Sequence, residues 1–436
     1  MFPLEVAPLF ARERRSRIQD GMSGPSGSLA RAPARPSGSS HRVLITEMTE
    51  GGVVGGSLTG VLELLAHLDR QRFEPMLVLF EPKPIIADLE AQGIGVHVLP
   101  PRRSPPSPPR GSRPMRALAR VTELLGVVGP RAASLVQVFR QERPALVYCA
   151  NGVAPSLPVV TAAALCGIPV VCHFKGFSHV GPEARFMSRW IDTAIGMTDE
   201  IVDHVRARGV RARRFLTVFD GIDVGACVPG KGAAVRREFG IPPDAPIVGI
   251  VGHIQPWKGQ MLAVEAVARA RRRVPALHCL VVGGVHRRGV EYGEQLRARV
   301  GAPDLAGHVV LTGSRRDVLA CMDAMDIVLH TSDHEPFGRV LIEAMAVGRP
   351  VIAPREGGPL VIVADGETGS LVPPRDPDAL AAAILDLLGD PARRAAMGRA
   401  ARARVERVFD IRQHARAMER VFDETLAARA GARAVA

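Results

Sequence analysis

The sequence has few aromatic residues and few cysteines. Phe, Trp and Tyr together make up 4% of its 436 residues. The six cysteines are scattered, and no Cys-x-x-Cys pair or His/Cys cluster has the spacing of metal ligands, so no metal site is expected. Most of these cysteines lie in apolar runs, which is typical of reduced cysteines in a protein core. We therefore expect a protein of the reducing cytoplasm.

Long apolar runs are also missing. Because no run of about 18 apolar residues occurs, no transmembrane helix is expected. Residues 1–40 are rich in Arg, Ser, Pro and Gly and lack the unbroken apolar core of a signal peptide. We predict that they form a disordered N-terminal extension.

Acidic residues are outnumbered by basic ones. The chain has 56 Lys and Arg against 44 Asp and Glu, a formal net charge of +12. Such a balance attracts nucleic acid, anionic lipid or phosphorylated substrates without choosing among them. No basic strand interleaved with aromatic residues supports nucleic-acid binding, so none is expected. Six arginines form a basic stretch that is either a solvated loop or a contact with an anionic acceptor or membrane: Arg102, Arg103, Arg110, Arg113, Arg116 and Arg120.

Short apolar runs alternate with helical patterns almost from end to end. Such runs are typical of parallel strands buried on both faces. The predicted strands are 43–47, 75–80, 96–99, 145–149, 169–172 and 193–196, and then 247–251, 277–282, 308–311, 326–330 and 350–353. The pattern predicts an α/β protein with two Rossmann-like, doubly wound parallel-sheet domains that face a cleft.

The predicted domains follow the interruption of this pattern at 225–246, a segment rich in Gly, Pro and charge that we expect to be a linker. An N-terminal domain then spans 41–224 and a C-terminal domain spans 247–408. Ligands of such folds bind at the carboxyl ends of the parallel strands.

The stretch from Asp333 to Glu343 carries the clearest chemistry. It follows a predicted strand; Pro336 and Gly338 force a turn, and helical periodicity begins at the next residue. The backbone N–H groups of 338–341 would be free at the helix start, which is a natural diphosphate site. Glu335 could reach a sugar hydroxyl, and Glu343, eight residues later, could accept from a ribose diol.

This Glu-x7-Glu pattern with Phe-Gly inside it resembles the signature of the retaining glycosyltransferases of family 4 (GT4), which have the GT-B fold. Five other segments are similar to the same family in the same order: 218–223, 252–259, 344–353, 357–358 and 365–369. The resemblance covers about residues 42–425 and is closest in the C-terminal half. It also implies that the last helix, 409–436, packs back on the N-terminal domain.

The resemblance implies a role for each matching residue. Lys258 would neutralise the diphosphate without a metal, Glu335 would contact the transferred sugar, and His173 would lie beside that sugar. Glu343 would bind the ribose. The remaining donor-binding residues that it implies are Gly55, Gly56, His253, Phe337, Gly338, Arg339, Val340 and Leu341.

Three positions depart from the family pattern. His253 stands where an arginine beside the diphosphate is usual, so we expect weaker diphosphate binding above neutral pH unless Arg339 or another arginine substitutes. Asp220 replaces the usual Asn and is conservative in turn chemistry. The carboxylate that often follows the Gly-Gly loop is absent from 359–361.

The resemblance implies a metal-independent enzyme without a cofactor. It would move a sugar from an NDP-sugar to a hydroxyl acceptor with retention, using the leaving phosphate as the base. Peripheral contact with the anionic inner face of the membrane is a further expectation. The alternatives are a GT-B epimerase of nucleotide sugars, a phosphorylase, and a protein that binds nucleotide sugars without turnover.

Overall fold

A computed structural model describes residues 40–48, 56–99 and 124–435. This part of the chain forms two parallel β-sheets with helices around them. The result confirms the predicted α/β class with two Rossmann-like sheets. No helix within these ranges is long and apolar enough to cross a membrane.

The first sheet has the strand order β3-β2-β1-β4-β5-β6-β7. Its strands are β1 His41–Glu47, β2 Phe73–Leu79, β3 Gly95–Val98, β4 Leu146–Cys149, β5 Val170–Phe174, β6 Thr193–Gly196 and β7 Arg214–Thr217. All neighbours run parallel. The order reverses between β1 and β4, where their carboxyl ends open a crevice.

The helices of this half are α1 Gly56–His67, α2 Ile86–Ala91, α3 Gly129–Glu142, α4 Leu157–Cys166, α5 Pro182–Met187 and α6 Asp199–Ala207. Local sequence explains several of their ends. Thr198 caps α6 by accepting a hydrogen bond from the N–H of Ile201. Gly167 ends α4 in the left-handed conformation, which glycine adopts at no steric cost.

The second sheet has the order β10-β9-β8-β11-β12-β13, again all parallel. Its strands are β8 Ile247–Val251, β9 His278–Val282, β10 Val309–Gly313, β11 Ile327–Leu329, β12 Val351–Pro354 and β13 Gly369–Val372. The helices are α7 Gly232–Glu238, α8 Gln260–Arg271, α9 Val290–Val300, α10 Val318–Ala324, α11 Arg339–Ala346, α12 Pro359–Ile362, α13 Pro377–Gly389, α14 Pro391–Val408 and α15 Ile411–Val435.

Three elements differ from the sequence expectations. The edge strands β7 and β13 were not predicted, because each has four residues and is mostly half-buried, without the continuous apolar run of a central strand. The segment 225–246, expected to be a linker, contains α7. This helix packs against α10 so closely that a Cβ at Gly232 would lie 2.5 Å from the backbone of Asp323.

The last helix returns to the first sheet. Phe422 of α15 packs edge-on against Phe73 and Tyr148, with ring centroids 5.6 and 5.8 Å apart. Glu419 accepts a hydrogen bond from the N–H of Asp69, and the hydroxyls of Thr193 and Thr425 lie 2.8 Å apart. The helix thereby ties the end of the chain to the N-terminal half.

Candidate active site

Three loops at the carboxyl edge of the second sheet form the candidate site. They follow the neighbouring strands β8, β11 and β12, so the sheet itself brings residues 252–259, 330–338 and 355–358 together. The N–H of Asp333 donates to the carbonyl of Trp257 at 2.7 Å. The hydroxyl of Thr331 donates to the carbonyls of Lys258 and Gly259. The first two loops are therefore fastened to each other.

Lys258 and Glu335 meet in this site. The ammonium nitrogen of Lys258 lies 2.6 Å from Oε2 of Glu335, and both side chains are largely buried. The same ammonium lies 4.0 Å from the centre of the Trp257 ring, a cation–π distance. The structure thus pairs Lys258, which the family resemblance assigns to the diphosphate, with Glu335, which it assigns to the transferred sugar.

The Glu335 carboxylate is held in its charged form. Burial alone would raise its pKa, but His330, Lys258 and the hydroxyl of Ser332 outweigh burial and lower it. His330 lies 3.5 Å away, and burial lowers the pKa of its imidazole to about 4. Because His330 is then neutral at physiological pH, Lys258 is the cation that balances Glu335. A neutral ligand hydroxyl could donate to this carboxylate without displacing a proton.

Two glycines set the position of the Glu335 loop. The N–H of Gly358 donates to the carbonyl of Glu335 at 2.7 Å. A Cβ at Gly358 would lie 2.0 Å from the carbonyl oxygen of Phe337, and one at Gly357 would lie 2.5 Å from that of Glu335. Only glycine permits this approach. The Gly-Gly segment therefore serves to support the loop that carries Glu335.

The start of α11 differs in one respect from the expected diphosphate site. Gly338 precedes the helix with φ of 108°, a conformation that favours glycine. The N–H of Leu341 donates to the carbonyl of Gly338 at 2.9 Å, so it is not free as predicted. Its hydrogen bond closes the first turn. The candidate diphosphate donors at this helix start are the N–H groups of 338–340, where Val340 is half-buried and Phe337 is buried.

The Arg339 side chain is held by carboxylates of the N-terminal half of the chain. Its guanidinium donates to the carboxylates of Asp220 at 3.0 Å and Glu63 at 2.8 Å, and to the carbonyl of Gly221. Glu343 lies 3.8 Å away on the same helix. Arg339 therefore joins α11 to the N-terminal half of the chain, and its suggested role in place of the missing arginine stays a prediction.

The charges around Arg339 form a cluster between the two sheets. Burial raises the pKa of Glu63 to about 7, although Arg339 opposes the shift. Burial also raises the pKa of Asp220, but the charges of Arg339 and Lys175 outweigh burial and hold this pKa well below its usual range. Burial raises the pKa of Glu343. At this position an aspartate is thus not merely a conservative replacement for asparagine, because its charge balances two cations.

Lys175 and Glu63 are two cleft residues that sequence reasoning missed. Lys175 lies just beyond β5, and its ammonium nitrogen is 3.4 Å from the carbonyl of Ser57 at the start of α1. Burial lowers its pKa. Its position in the sequence could have indicated a place in the cleft, because Lys175 comes two residues after His173 at the carboxyl end of a buried strand. For Glu63 the only indication in the sequence was a charged residue within an otherwise apolar helix.

His173 lies inside β5 and is fully buried. Its Nδ1 is hydrogen bonded to the Tyr148 hydroxyl at 2.8 Å, and its ring stacks near that of His414, 6.5 Å away. Within the described ranges its Nε2 has no hydrogen-bond partner. Burial, then Lys175 and His414, lower its pKa well below the usual value. His173 is therefore a neutral, buried imidazole, and its role beside the transferred sugar stays a prediction.

His253 is exposed and has a second imidazole beside it. The ring of His286, in the loop after β9, lies 6.1 Å away and nearly edge-on. The N–H of His286 donates to the carbonyl of Ile254, which fixes the two loops side by side. No pattern in the sequence connects His286 with His253, because the two residues belong to different strand–loop units.

Some predicted features lie outside the described residues. These are Gly55, residues 1–39 and the basic stretch 102–120. Gly56 is the first residue of α1. Nearby, a Cβ at Gly60 would lie 3.2 Å from the Lys175 ammonium, so α1 packs directly on the charge cluster. Across 40–48, 56–99 and 124–435, no three His, Cys, Asp or Glu side chains gather as a metal site.

Comparison with known proteins agrees with this geometry. The family model described as glycosyl transferases group 1 matches residues 233–404, and the model of the glycosyl transferase 4-like domain matches residues 55–219. A D-inositol 3-phosphate glycosyltransferase from Catenulispora acidiphila is 38% identical over 215 residues, covering 48% of this chain and 50% of the relative. The chain spans about half the length of the curated relatives it matches.

Solved structures resemble the whole fold. HepE from Anabaena, crystallised with UDP and glucose, aligns with a TM-score of 0.71 and 23% identity, covering 88% of this chain and 99% of that one. A glycosyltransferase from Rickettsia africae aligns with a TM-score of 0.74 and 18% identity, covering 89% and 99%. The two family models, the paired parallel sheets and these neighbours agree that the chain belongs to the GT4-type glycosyltransferases with the GT-B fold.

Proposed function

We propose that this chain transfers a sugar from a nucleoside-diphosphate sugar to a hydroxyl acceptor, with retention of anomeric configuration and without a metal. The observation that carries the proposal is the Lys258–Glu335 pair, held at 2.6 Å beside the start of α11. One cation for a leaving diphosphate and one carboxylate for sugar hydroxyls stand within a single loop cluster. Membership of the GT4-type family supports the same chemistry.

The donor lies, in this proposal, along the carboxyl edge of the second sheet. Its diphosphate replaces Glu335 as the partner of Lys258 and accepts from backbone N–H groups at the start of α11. Glu335 then binds hydroxyls of the transferred sugar, and Glu343 accepts from the ribose. The Lys258–Glu335 pair thus keeps both groups oriented before the donor arrives.

The acceptor binds from the N-terminal half, where the crevice of the first sheet opens. In this proposal the Nε2 of His173, which has no hydrogen-bond partner among the described residues, would accept or donate a hydrogen bond at the sugar without carrying charge. The acceptor hydroxyl attacks the anomeric carbon on the face that the diphosphate leaves, and the departing phosphate oxygen takes the proton. No protein nucleophile is required for retention by this route, and no cofactor takes part.

A donor panel tests the proposal. UDP-sugars are the first candidates because HepE binds UDP, and inositol 3-phosphate joins the acceptor panel because of the curated relatives. The expected result is acceptor-dependent NDP release from one donor that Glu335→Ala lowers by roughly 100-fold. An α-linked product from an α-linked donor, seen by NMR of the anomeric proton, would establish retention. Donor binding with no turnover on any acceptor would favour a binding protein instead.

A further inference from the structure

An exposed group of apolar side chains lies on the first domain away from the candidate site. Leu165 of α4 is 74% exposed, Phe186 of α5 is 51% exposed, and Trp190 in the turn after α5 is 38% exposed. The helices that carry them pack against one another. In a chain with only 4% aromatic residues, two neighbouring exposed rings are an unusual use of aromatic surface.

One arginine, Arg189, lies over both rings. The guanidinium carbon of Arg189 lies 4.4 Å from the centre of the Phe186 ring and 5.9 Å from that of Trp190, whose centroids are 5.3 Å apart. Arg185 is exposed and belongs to α5, as Phe186 does. In the part of the chain that the structure describes, neither Arg185 nor Arg189 forms an ion pair with a carboxylate. We call Leu165, Arg185, Phe186, Arg189 and Trp190 the aromatic–arginine patch.

The patch lies at the opposite edge of the sheet from the cleft. Trp190 comes just before β6, and the N–H of Asp192 donates to the carbonyl of Val170 at the start of β5, so this is the amino edge of the strands. The hydroxyl of Ser188 accepts from the N–H of Arg211 at 2.8 Å, which fastens the turn to the body of the domain. The patch is therefore built on fixed backbone and is not part of the donor or acceptor site.

We propose that the aromatic–arginine patch docks on the surface of an anionic lipid bilayer. Tryptophan and phenylalanine rings sit well at the level of lipid headgroups, and the exposed Leu165 on the neighbouring helix can enter the acyl region. Unpaired arginines are attracted to anionic headgroups by about 1 kcal/mol each. A second copy of the chain is a poorer partner, because a symmetric contact would place arginine against arginine. The inference does not depend on the proposed transfer reaction.

The chain offers a built-in reporter for this docking. It has two tryptophans, Trp190 and Trp257, so Trp257→Phe leaves Trp190 as the one indole. The fluorescence of this full-length variant is measured with phosphatidylcholine vesicles and with vesicles that contain phosphatidylglycerol and brominated acyl chains. The expected result is a blue shift and quenching of Trp190 with the anionic vesicles, neither of them with the neutral ones, and reversal by added salt.

Matched charge variants distinguish binding by the aromatic–arginine patch from nonspecific attraction of a basic protein to anionic vesicles. Arg185→Gln with Arg189→Gln should weaken vesicle binding about 30-fold, from two headgroup contacts. Arg272→Gln with Arg273→Gln removes the same charge from exposed positions just after α8, in the other half of the chain, and should leave binding unchanged. Phe186→Ala should weaken binding about tenfold without any change of charge.

Three outcomes would overturn the proposal. Trp190 could remain unquenched at every phosphatidylglycerol content, or the two double variants could lose binding equally. A Trp190 emission that shifts with protein concentration in the absence of vesicles would identify a second copy as the occupant instead. NDP release measured on the same preparations shows separately whether the transfer activity is intact.

Discussion

Arg339 donates to the carboxylate of Asp220 across 3.0 Å and across 119 positions of sequence. The first is the opening residue of α11, and the second lies in the turn after β7. The helix that begins the candidate diphosphate site is thereby tied to the N-terminal half of the chain. The donor site depends on how the two sheets are held together as well as on its own loops.

Replacing Asp220 by asparagine tests this connection. Asp220→Asn keeps the shape and removes the charge, so we expect the free energy of unfolding to fall by about 2 kcal/mol, as for loss of a hydrogen bond to a charged group. Urea denaturation measures the change. Asp223→Asn, three residues later, is the matched control, because Asp223 caps a backbone N–H and has no arginine partner in the described structure. Equal losses for the two variants would contradict the account.

The pH dependence of stability should reveal Glu63. Its pKa is raised to about 7 in the folded protein, so between about pH 4.5 and 7 the folded state holds a proton that the unfolded state has released. The stability that Glu63 contributes is therefore full below that window and falls as pH rises through it. We expect the wild type to lose stability relative to Glu63→Gln from pH 5 to 7 and no further above pH 8.

Thermal unfolding of the two proteins at matched pH values measures this difference. Other groups contribute to the pH dependence as well, but they are common to both proteins, so the comparison isolates Glu63. Parallel curves from pH 5 to 8 would mean that Glu63 is ionised throughout and that Arg339 outweighs its burial.

The pairing of Lys258 with Glu335 predicts opposite effects on binding and turnover. In Glu335→Gln the ammonium loses a competing partner, so free NDP should bind about threefold more tightly, the size of a modest ion pair. Turnover should fall by roughly 100-fold, because the proposed contact of Glu335 with the transferred sugar would be weakened. Calorimetry with NDP and initial rates with the donor measure the two effects. Weaker NDP binding in this variant would show that Glu335 contacts the diphosphate itself.

The glycine that supports the Glu335 loop gives a steric test. Gly358→Ala would place a Cβ 2.0 Å from the carbonyl oxygen of Phe337, so the loop must move. We expect a stability loss of about 2 kcal/mol and loss of measurable transfer. Gly389→Ala is the control, because a Cβ there meets no atom within 4 Å. Calorimetric unfolding and initial rates compare the two, and an active Gly358→Ala enzyme would contradict the role given to this turn.

The sequence predicted the central strands and the loop around Glu335 because both depend on local patterns. Apolar runs mark buried strands, and Pro336 and Gly338 mark the turn before α11. The edge strand β7 escaped because Arg214–Thr217 is half-buried and has no apolar run. The partners of Arg339 were not predicted for another reason. Glu63 and Asp220 lie beside Arg339 only in the folded chain, and no sequence spacing predicts this contact.

Lys258 is the proposed partner of the nucleoside diphosphate, and calorimetric titration of NDP shows whether this lysine binds it. Lys231→Ala is the matched control, since it removes an exposed lysine next to α7 in the same half of the chain. We expect Lys258→Ala to weaken NDP binding by at least about tenfold and Lys231→Ala to leave it unchanged. Equal affinity in the wild type and both variants would place the diphosphate elsewhere and contradict the account.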